Sequence, residues 1–501
     1  MNNDAFDCDV LVAGLGPVGA AMAALLVRNN VSTIAIDKDT SVYPMPRAVH
    51  FDHEIMRLFQ HLGIVSEVSR HITELQPYEF RAADGQLLLR LEPVRDAPSG
   101  WAMGYMFHQP GLEHALRGIL NASPLADVRL GWRLEGFTQD AQGVTATVTG
   151  PNGTSAIRAK YLVGCDGASS RVRELIGGGL FSYNFDEPWL VIDVKVQPDS
   201  RLPDVNLQNC DPARPTSCVH SGPGRHRWEF MLLPGETADM VLRDEFVQSL
   251  LEPWKCGHVE IERRAVYRFH GLVANRWRSG RVLLAGDSAH QTPPFAGQGM
   301  CSGLRDAANL AWKLEAVLHG RATDALLDTY QLERERHTRA LIELALSLGR
   351  LVCTLDQEIA AARDKNLIER RKAGEVPLPA LTAGPFQAGC ILTGSSGAGE
   401  LFPQPTSGEE PERLRLDDVL GDRAWLISRA PVSNPEDANL VVRHLGDEAL
   451  APFRAALAKW LDEHGAEAVL VRPDRYVFGS GDPAALLAAW AKALHPLPQA
   501  A

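Results

Sequence analysis

The fold is decided by residues 9–19, which read DVLVAGLGPVG. The apolar run at 9–13 predicts a buried strand, and the Ala- and Leu-rich stretch at 17–28 predicts a helix that follows directly. The turn between them has the pattern GxGxxG, in which the first glycine permits a tight turn, the second lets a pyrophosphate approach the backbone, and the third lets the helix pack on the strand. The residues predicted to surround the phosphates are Gly14, Gly16, Pro17, Val18 and Gly19.

A second strand, at 33–36, ends at an acidic residue. Asp37 lies 18 positions after Gly19 and can accept hydrogen bonds from ribose hydroxyls, and Lys38 follows it. Because strand, helix and acid are in register, the segment predicts a dinucleotide-binding unit. The pattern does not distinguish NAD from FAD.

Two further stretches have the pattern of buried strands that stop in glycine-rich turns. They lie at 159–164 and 281–286, so we expect one parallel sheet assembled from distant parts of the chain. Asp287 follows the second stretch and places a carboxylate at the carboxyl end of a strand, where open α/β sheets bind ligands. The turn at 297–300 precedes a helix whose N-terminus could hold the electron-rich end of a reduced flavin. A structural turn capped by Asp287 is the alternative.

The material between these strands has a different pattern. Apolar and polar residues alternate in stretches that predict antiparallel strands of an inserted sheet, namely 86–91, 128–148, 189–195 and 227–232. From 306 to 351 the spacing of the leucines is helical, and GSSGAG at 394–399 indicates a linker to a last unit. These elements together predict an α/β protein.

The composition limits the classes of function. The 501 residues suit roughly three domains, and a net charge of −12 disfavours non-specific binding to nucleic acid or to anionic membranes. The acidic N-terminus lacks the features of a signal peptide, and no apolar run reaches the ~18 residues of a membrane span. Eight cysteines without a CxxC pair argue against a zinc ribbon and a dithiol redox centre. We therefore expect a cytoplasmic protein without a metal site.

Three motifs in this order resemble those of the class A FAD-dependent aromatic monooxygenases, which are similar in fold to para-hydroxybenzoate hydroxylase. They are GLGPVG at 14–19, CDGASSRVR at 165–173 and the Gly286-Asp287 pair. The resemblance implies that Asp287 holds the ribityl chain of FAD and that Asp166 serves both FAD and the reducing nicotinamide. It also implies contacts with the rest of FAD from Arg47, Gln109, Gly286, Pro294, Gly297, Gln298, Gly299 and Met300.

The closer resemblance is to the 3-(3-hydroxyphenyl)propionate hydroxylase branch of this family. It covers roughly residues 8–350 and rests on CDPARP at 210–215, WEFMLLPGE at 228–236 and DAANLAWKL at 306–314. The chain departs from the family at Cys301, at the start of the helix aimed at the flavin, where Asn is usual.

The resemblance also implies a division into domains. We expect a Rossmann-like FAD-binding domain, an inserted and mostly antiparallel β-sheet domain for the substrate, a helical or linker segment, and a thioredoxin-like C-terminal domain. Their predicted bounds are 1–75, 100–180 and 275–350 for the first, 76–99 and 181–274 for the second, 351–400 for the third and 401–501 for the last. Without CxxC the last domain cannot carry out dithiol chemistry, so we expect packing or a homodimer contact there.

The resemblance implies an enzyme that consumes NAD(P)H and O2 and hydroxylates a substituted phenol ortho or para to its hydroxyl. In such enzymes hydride reduces FAD, O2 adds at C4a to give a hydroperoxide, and the electron-rich ring attacks the distal oxygen. The backbone carbonyl of Pro293 would lie by the reacting carbon. For removal of the phenol proton the sequence offers His50, His53 and His290, although a histidine beside a Gly-Asp turn is more often structural. The aromatic residues that could line the substrate pocket or form ordinary core are Tyr105, Phe107, Tyr183, Phe185, Trp228 and Phe230.

Rival functions share parts of this pattern. A disulfide reductase would need a second GxGxxG and a CxxC, and a flavin-dependent halogenase would show WxWxIP, and the sequence has none of these. An FAD-dependent oxidoreductase without hydroxylation, or a flavin redox sensor, remains open because binding motifs do not prove turnover. The cluster at 225–227, Arg-His-Arg, would either attract a substrate carboxylate or NAD(P)H phosphates, or form a solvated turn.

Overall fold

The computed structural model describes residues 5–375, 384–433 and 439–496. Its strands, numbered along the chain, are Cys8–Ala13 (β1), Thr33–Asp37 (β2), His50–Asp52 (β3), Ile72–Glu74 (β4), Tyr78–Arg81 (β5), Leu87–Leu91 (β6), Gly104–Phe107 (β7), Ala126–Leu130 (β8), Arg133–Gln139 (β9), Val144–Gly150 (β10), Gly153–Gly164 (β11), Leu180–Val196 (β12), Asn206–Asn209 (β13), Thr216–His220 (β14), Arg225–Met231 (β15), Val259–Ala274 (β16), Arg278–Ser279 (β17), Val282–Leu284 (β18), His290–Gln291 (β19), Thr406–Ser407 (β20), Leu414–Arg415 (β21), Ala424–Ser428 (β22), Leu440–His444 (β23), Ala468–Val471 (β24) and Val477–Gly481 (β25).

The α-helices of the same ranges are Pro17–Arg28 (α1), His53–Leu62 (α2), Val65–Val68 (α3), Gln109–Ala122 (α4), Arg171–Ile176 (α5), Ala238–Val241 (α6), Asp244–Leu251 (α7), Gly299–Leu318 (α8), Asp328–Val352 (α9), Gln357–Lys372 (α10), Leu416–Leu420 (α11), Arg454–Glu463 (α12) and Pro483–Ala493 (α13).

The first large sheet has a parallel core. In the described chain its strands follow the order β17-β18-β11-β1-β2-β8, and each neighbouring pair from β18 to β8 is parallel. The prediction of one parallel sheet assembled from distant stretches is confirmed, because β1, β11 and β18 are the strands that end in glycine-rich turns. Helix α1 begins at Pro17 and ends at Arg28, as the sequence predicts, and packs against α4 and α8. The carboxyl ends of these strands therefore meet at one edge.

The sequence-based expectation for 128–148 is wrong. Strand β8 extends the parallel core beside β2, and β9 and β10 form an antiparallel ribbon that continues from β11 in the first sheet, not in the inserted one. Alternation of apolar and polar residues indicates a strand with one exposed face. It does not indicate which sheet the strand joins.

The second large sheet is mostly antiparallel, as predicted. Within the described residues its order is β19-β16-β12-β15-β14-β13-β5-β6, and β13 pairs with β5 in parallel. One face packs against α6 and α7 through Leu190, Ile192 and Trp228. The opposite face is turned toward the first sheet, where the ring of Trp189 lies 5.7 Å from that of Phe295. A small sheet of order β3-β7-β4 lies next to α2.

The C-terminal part has the predicted thioredoxin-like arrangement. Its described strands follow the order β23-β22-β24-β25, with β22 and β23 parallel and β24 antiparallel to both β22 and β25. It docks on α8, where Trp312 and Trp490 stack at 6.0 Å. The predicted helical or linker segment at 351–400 contains α10, and its residues 376–383 lie outside the described ranges. The domain bounds given above stay predictions.

Two searches of the described residues bear on the classes of function. No helix in these ranges is long and apolar enough to cross a membrane. The described His, Cys, Asp and Glu side chains form no group of three or more suited to a metal ion.

Candidate active site

In the glycine turn after β1, two glycines contact other backbone atoms closely and the third does not. Gly14 has φ +97°, and a Cβ there would lie 2.3 Å from the carbonyl oxygen of Cys165. A Cβ on Gly19 would lie 1.9 Å from the carbonyl oxygen of Gly14. A Cβ on Gly16, in contrast, would meet no protein atom within 4 Å, so the backbone of this residue faces open space. This open backbone lies at the N-terminus of α1, beside Pro17, where backbone N–H groups favour an anion such as a phosphate.

The acid at the end of β2 is tied to this turn. The backbone N–H of Leu15 donates to Asp37 Oδ2 at 2.7 Å, and Arg117 Nη2 donates to the carbonyl of Leu15 at 2.7 Å. The second oxygen of Asp37 accepts from the N–H of Asp39 at 2.9 Å. Lys38, the next residue, is exposed. Asp37 is thus placed at the sheet edge by the turn itself.

The Gly286-Asp287 turn packs directly on the start of α1. Gly286 has φ +68°, and a Cβ there would lie 3.0 Å from Val18 Cγ2. Asp287 is exposed, and no group in the described chain donates a hydrogen bond to its carboxylate. The surrounding protein partly desolvates this carboxylate and so raises the pKa of Asp287, although His290 and Arg47 act in the opposite sense. Such a carboxylate is free to accept hydrogen bonds from ligand hydroxyls.

The loop that carries Arg47 is held from both sides. Gln109 Oε1 accepts hydrogen bonds at 2.8 Å from the backbone N–H groups of Arg47 and Ala48, and its amide nitrogen donates to Glu113 at 2.8 Å. The amide oxygen of Gln109 and one of its two N–H donors are therefore engaged within the protein. Gln109 thus positions the Arg47 loop, and its contact with FAD, implied by the sequence resemblance, stays a prediction.

The Arg-His-Arg cluster at 225–227 is not a solvated turn. Arg227 is buried and pairs with Asp193 at 2.7 Å, and it donates to the carbonyls of Pro46 and Arg47 at 2.7 and 2.8 Å. His226 is buried on the other face of β15. The solvated-turn interpretation is wrong for both because their strand runs through the middle of the second sheet, and Arg227 instead fixes the Arg47 loop.

The carboxylate of Asp166 contacts the start of α5, the helix that follows it in the chain. Its carboxylate accepts from the hydroxyl of Ser170 and, at 3.1 Å, from the N–H of Val172 at the start of α5. Arg173 on that helix donates to the carbonyls of Ser288 and Ala168 at 3.0 and 2.7 Å. The segment therefore braces the Gly286-Asp287 turn through Arg173.

The turn at 294–300 is anchored to β3 and α8. Gly297 has φ +63°, and its carbonyl lies 3.3 Å from His50 Nδ1. The buried thiol of Cys301 donates to the same carbonyl at 3.7 Å, and Gln298 Oε1 accepts from Arg305 Nη1 at 3.0 Å. Gly299 and Met300 begin α8 and are partly exposed, as is Pro294. Pro293 is buried just before them.

The candidate histidines occupy different places. His50 contacts the Gly297 turn, and burial lowers its pKa. His53 lies 2.9 Å from the hydroxyl of Ser99, at the start of α2. The side chain of His290 has no exposed surface, and its Nε2 lies 2.7 Å from Asp306 Oδ2. This burial and the contact with Asp306 argue against a direct catalytic role for His290.

The candidate aromatic residues divide among four environments. Phe185 contacts Phe295 at a ring distance of 6.0 Å, next to the 294–300 turn. Tyr183 reaches Glu343 on α9 at 3.3 Å. Tyr105 and Phe107 pack on Phe51 in the core of the small sheet, and Trp228 and Phe230 face α7 across the second sheet. The last four are core residues in this structure, which contradicts their assignment to the substrate pocket.

Sequence reasoning missed the polar face of β15. Alternate residues of a strand point to opposite sides, so Glu229 shares the face of Arg227 and Met231, between the Arg47 loop and the Phe295 turn. Its carboxylate lies 3.6 Å from Arg227, and burial raises its pKa. The alternation of charged residues with Trp228 and Phe230 was the available signal.

Glu229 has polar neighbours on adjacent strands. Ser217 donates to Gln208 at 2.7 Å, and Gln208 donates to the phenol oxygen of Tyr78 at 2.7 Å. Burial raises the pKa of Tyr78, and the charge of Glu229 acts in the same direction. This face of the second sheet therefore carries a buried carboxylate with hydroxyl and amide groups on neighbouring strands.

Comparison with known proteins gives the family. A model described as an FAD binding domain matches residues 7–345, and one described as an HcaD C-terminal domain matches residues 436–495. The chain is 36% identical to the "Probable NADH-specific resorcinol 4-hydroxylase" of Rhodococcus jostii (strain RHA1), over 97% of this chain and 94% of the relative. This chain belongs to the FAD-dependent aromatic hydroxylases. A 3-(3-hydroxy-phenyl)propionate/3-hydroxycinnamic acid hydroxylase of Burkholderia vietnamiensis (strain G4 / LMG 22486) is 34% identical to this hydroxylase, over 94% of this chain and 93% of the relative.

Solved structures share the fold of the hydroxylase over almost all of its described residues. Aklavinone-11 hydroxylase, solved with FAD and aklavinone, aligns with a TM-score of 0.78 at 24% identity, over 98% of this chain and 99% of that chain. The flavin-dependent monooxygenase PieE, solved with FAD and substrate, aligns with a TM-score of 0.80 at 22% identity, over 98% and 100%.

Proposed function

We propose that this hydroxylase binds FAD along the carboxyl edge of the first sheet and uses NADH and O2 to hydroxylate a phenol ortho or para to its hydroxyl. The observation that carries the proposal is the contiguity of the glycine turns at this edge. A Cβ on Gly303 of α8 would lie 2.5 Å from Val18 Cγ2 and 3.0 Å from Gly286 Cα, so α1, α8 and the Gly286-Asp287 turn are packed together. NADH is proposed as reductant because the Rhodococcus relative is described as NADH-specific.

The residues present fit FAD. The open backbone at Gly16 would hold the phosphates, the free carboxylate of Asp287 would bind ribityl hydroxyls, and the N-terminus of α8 at Gly299 would meet the ring edge. When bound, FAD supplies the site of hydride acceptance and of O2 activation. The chain itself must hold the phenol, exclude water and accept a proton.

Water exclusion at the 294–300 turn would come from an aromatic wall. The ring of Phe295 is surrounded by Phe185, Trp189 and Phe269 at ring distances of 6.0, 5.7 and 6.1 Å. We propose that the substrate ring lies between this wall and the Arg47 loop. The carbonyl of Pro293 remains our candidate for a contact with the reacting carbon.

We assign removal of the phenol proton to Glu229. Its carboxylate would accept the hydroxyl proton, which raises the electron density at the ortho and para carbons. The raised pKa that burial gives Glu229 suits a general base better than an ordinary surface carboxylate. Arg227, at 3.6 Å, would fix the orientation of the carboxylate.

We propose a meta-substituted phenol as substrate. The two relatives are described as acting on resorcinol and on 3-(3-hydroxyphenyl)propionate, and each of these compounds carries a phenol hydroxyl with a second substituent in the meta position. They differ in whether that substituent is a hydroxyl or a carboxylated chain.

The test is phenol-stimulated NADH oxidation by the purified, FAD-loaded enzyme, with product and H2O2 quantified. We compare resorcinol with hydroquinone, and 3-(3-hydroxyphenyl)propionate with its 4-hydroxyphenyl isomer, so that each pair differs only in substitution position. We expect faster NADH oxidation and hydroxylated product with at least one meta isomer, and slower oxidation with NADPH. Unstimulated NADH oxidation, or H2O2 in place of product with every phenol, would favour an oxidoreductase or a redox sensor and overturn the proposal.

A further inference from the structure

A line of side-chain contacts connects the C-terminal domain with the turn at 294–300. The hydroxyl of Tyr476, just before β25, donates to Glu54 Oε1 at 2.8 Å. Glu54 Oε2 accepts from Arg305 Nε at 2.5 Å, and Arg305 Nη1 donates to Gln298 Oε1 at 3.0 Å. Four residues from three separate parts of the chain thus form one chain of hydrogen bonds that ends in the turn.

Three of these four groups are buried, and Glu54 is partly buried. Tyr476 is 5% exposed and Arg305 is 8% exposed. The remaining guanidinium nitrogen of Arg305 donates to Asp52 at 2.5 Å. Burial disfavours the charge of Arg305, but Asp52 and Glu54 keep its pKa well above the usual value. A buried charge is stable only with its hydrogen-bond partners, so the loss of one hydrogen bond in this chain changes the geometry of the next one.

We propose that Tyr476 is a positioning residue for the flavin turn and that it acts through Glu54 and Arg305 on Gln298. The inference rests on the proposed function, since it takes the 297–300 turn as the site of the flavin ring. The C-terminal domain then contributes to FAD binding and to coupling, which is the fraction of NADH oxidation that yields hydroxylated product, in addition to its packing contacts.

The physical reason is that Arg305 donates hydrogen bonds to several acceptors at once. Glu54 accepts from both Tyr476 and Arg305, and Arg305 divides its donors among Glu54, Asp52 and Gln298. Without the Tyr476 hydroxyl, Glu54 must obtain its stabilisation from Arg305 alone. The guanidinium then moves toward Glu54, and its bond to Gln298 weakens.

Docking of the C-terminal domain does not depend on this hydroxyl. A separate buried network joins Arg57 of α2 to Asp417 at 2.6 Å, and Asp417 also pairs with Arg475 at 3.0 Å. The ring of Tyr476 is held by stacking on Phe386 at 4.2 Å. The substitution Tyr476→Phe therefore removes the hydrogen bond and keeps the packing.

The experiment is a double-mutant cycle on the full chain, read first on the apoprotein. FAD is titrated into apo wild type, Tyr476→Phe, Gln298→Ala and the double variant, with flavin fluorescence as the signal. We expect Tyr476→Phe to raise the FAD dissociation constant about three- to tenfold, as for loss of one hydrogen bond. In the Gln298→Ala background the same substitution should change the constant by less than about twofold.

A matched control separates this role from a general loss of stability. Tyr161→Phe also removes a tyrosine-to-carboxylate hydrogen bond, to Asp324 at 2.6 Å, and should leave the FAD dissociation constant unchanged. Both tyrosine variants should lose similar thermal stability. A second readout on the holoenzyme is the fraction of NADH oxidation that yields product, which we expect to fall only in Tyr476→Phe.

The outcomes are distinct. An FAD dissociation constant and coupling equal to wild type in Tyr476→Phe would overturn the inference, as would an equal effect of this substitution with and without Gln298. Failure of the wild type itself to bind FAD or to hydroxylate any phenol would instead overturn the proposed function. A wild type that hydroxylates, with the expected cycle, supports both.

Discussion

Three glycines that the sequence motif treats alike do different things in the structure. Gly14 and Gly19 are required by the protein's own backbone, because a side chain at either would collide with a carbonyl oxygen. Gly16 has free space around it and φ −68°, which any residue adopts. The motif could be recognised from sequence, but the division of its roles depends on which backbone atoms each glycine meets in the folded chain.

This division predicts opposite effects of two alanine substitutions. Gly16→Ala should fold with the thermal stability of wild type but bind FAD ~10-fold or more weakly, since its methyl group would occupy the space proposed for the phosphates. Gly19→Ala should lose about 1–3 kcal/mol of folding stability in the apoprotein, because its Cβ would lie 1.9 Å from an oxygen. Thermal denaturation of the apoproteins and FAD titration measure both. Unchanged FAD affinity in Gly16→Ala would remove the phosphates from this turn.

The proposed base predicts a pH dependence. A general base must be deprotonated, so the rate of hydroxylation should rise with pH through the pKa of Glu229, which burial places above 4.5. Glu229→Gln should lower this rate ~100-fold or more and abolish that acidic limb, with FAD affinity unchanged. Glu262→Gln, which breaks an ion pair with Arg225 at 2.9 Å on the same sheet, is the control and should keep the limb. An unaltered pH profile in Glu229→Gln would assign the proton to another group.

At the scale of single elements, the strands show what periodicity can and cannot predict. Strands β1 and β11 and helix α1 were predictable because a buried parallel strand followed by a helix has a strong pattern. The face of a strand was predictable in principle: Trp228 and Phe230 alternate with Arg227 and Glu229, so the two pairs must face opposite sides. The sequence did not predict which of the two faces is covered by α7, because α7 comes from another part of the chain.

The histidines of β14 and β15 predict how folding stability depends on pH. Burial, reinforced by His220, lowers the pKa of His226 from 6.5 to about 3. Between these values the unfolded chain binds a proton that the folded chain does not, so stability rises with pH up to about 6.5. His226→Gln should remove up to about 1.4 kcal/mol per pH unit from this slope. Urea unfolding at several pH values measures the slope, and an identical slope in the variant would contradict the assignment.

At the scale of the whole molecule, the C-terminal domain is attached by buried charges. Asp417 pairs with Arg57 of α2 and with Arg475 of its own domain, and Arg472 pairs with Glu333 of α9 at 2.8 Å. The thioredoxin-like fold of this domain could be predicted from the resemblance to the hydroxylase family. The ion pairs could not, because each joins residues that are far apart in sequence, such as Arg57 and Asp417.

This attachment predicts a large effect of one acidic residue. Asp417→Ala leaves two buried guanidinium groups without their carboxylate, so the free energy of unfolding should fall by about 3–5 kcal/mol. Asp422→Ala, which breaks the partly exposed contacts with Arg28 and His61, both at 2.9 Å, should cost less than Asp417→Ala. Denaturant unfolding compares the two variants. Equal losses would show that the buried pairs do not hold the domain.

The most direct measurement of the central claim is the origin of the oxygen in the product. FAD-loaded enzyme is incubated with NADH, 18O2 and resorcinol or 3-(3-hydroxyphenyl)propionate, and the product is analysed by mass spectrometry. We predict one 18O atom per product molecule, at a position ortho or para to the phenol hydroxyl, and no product without FAD. NADH oxidation by the FAD-loaded enzyme without 18O in any phenol would contradict this account.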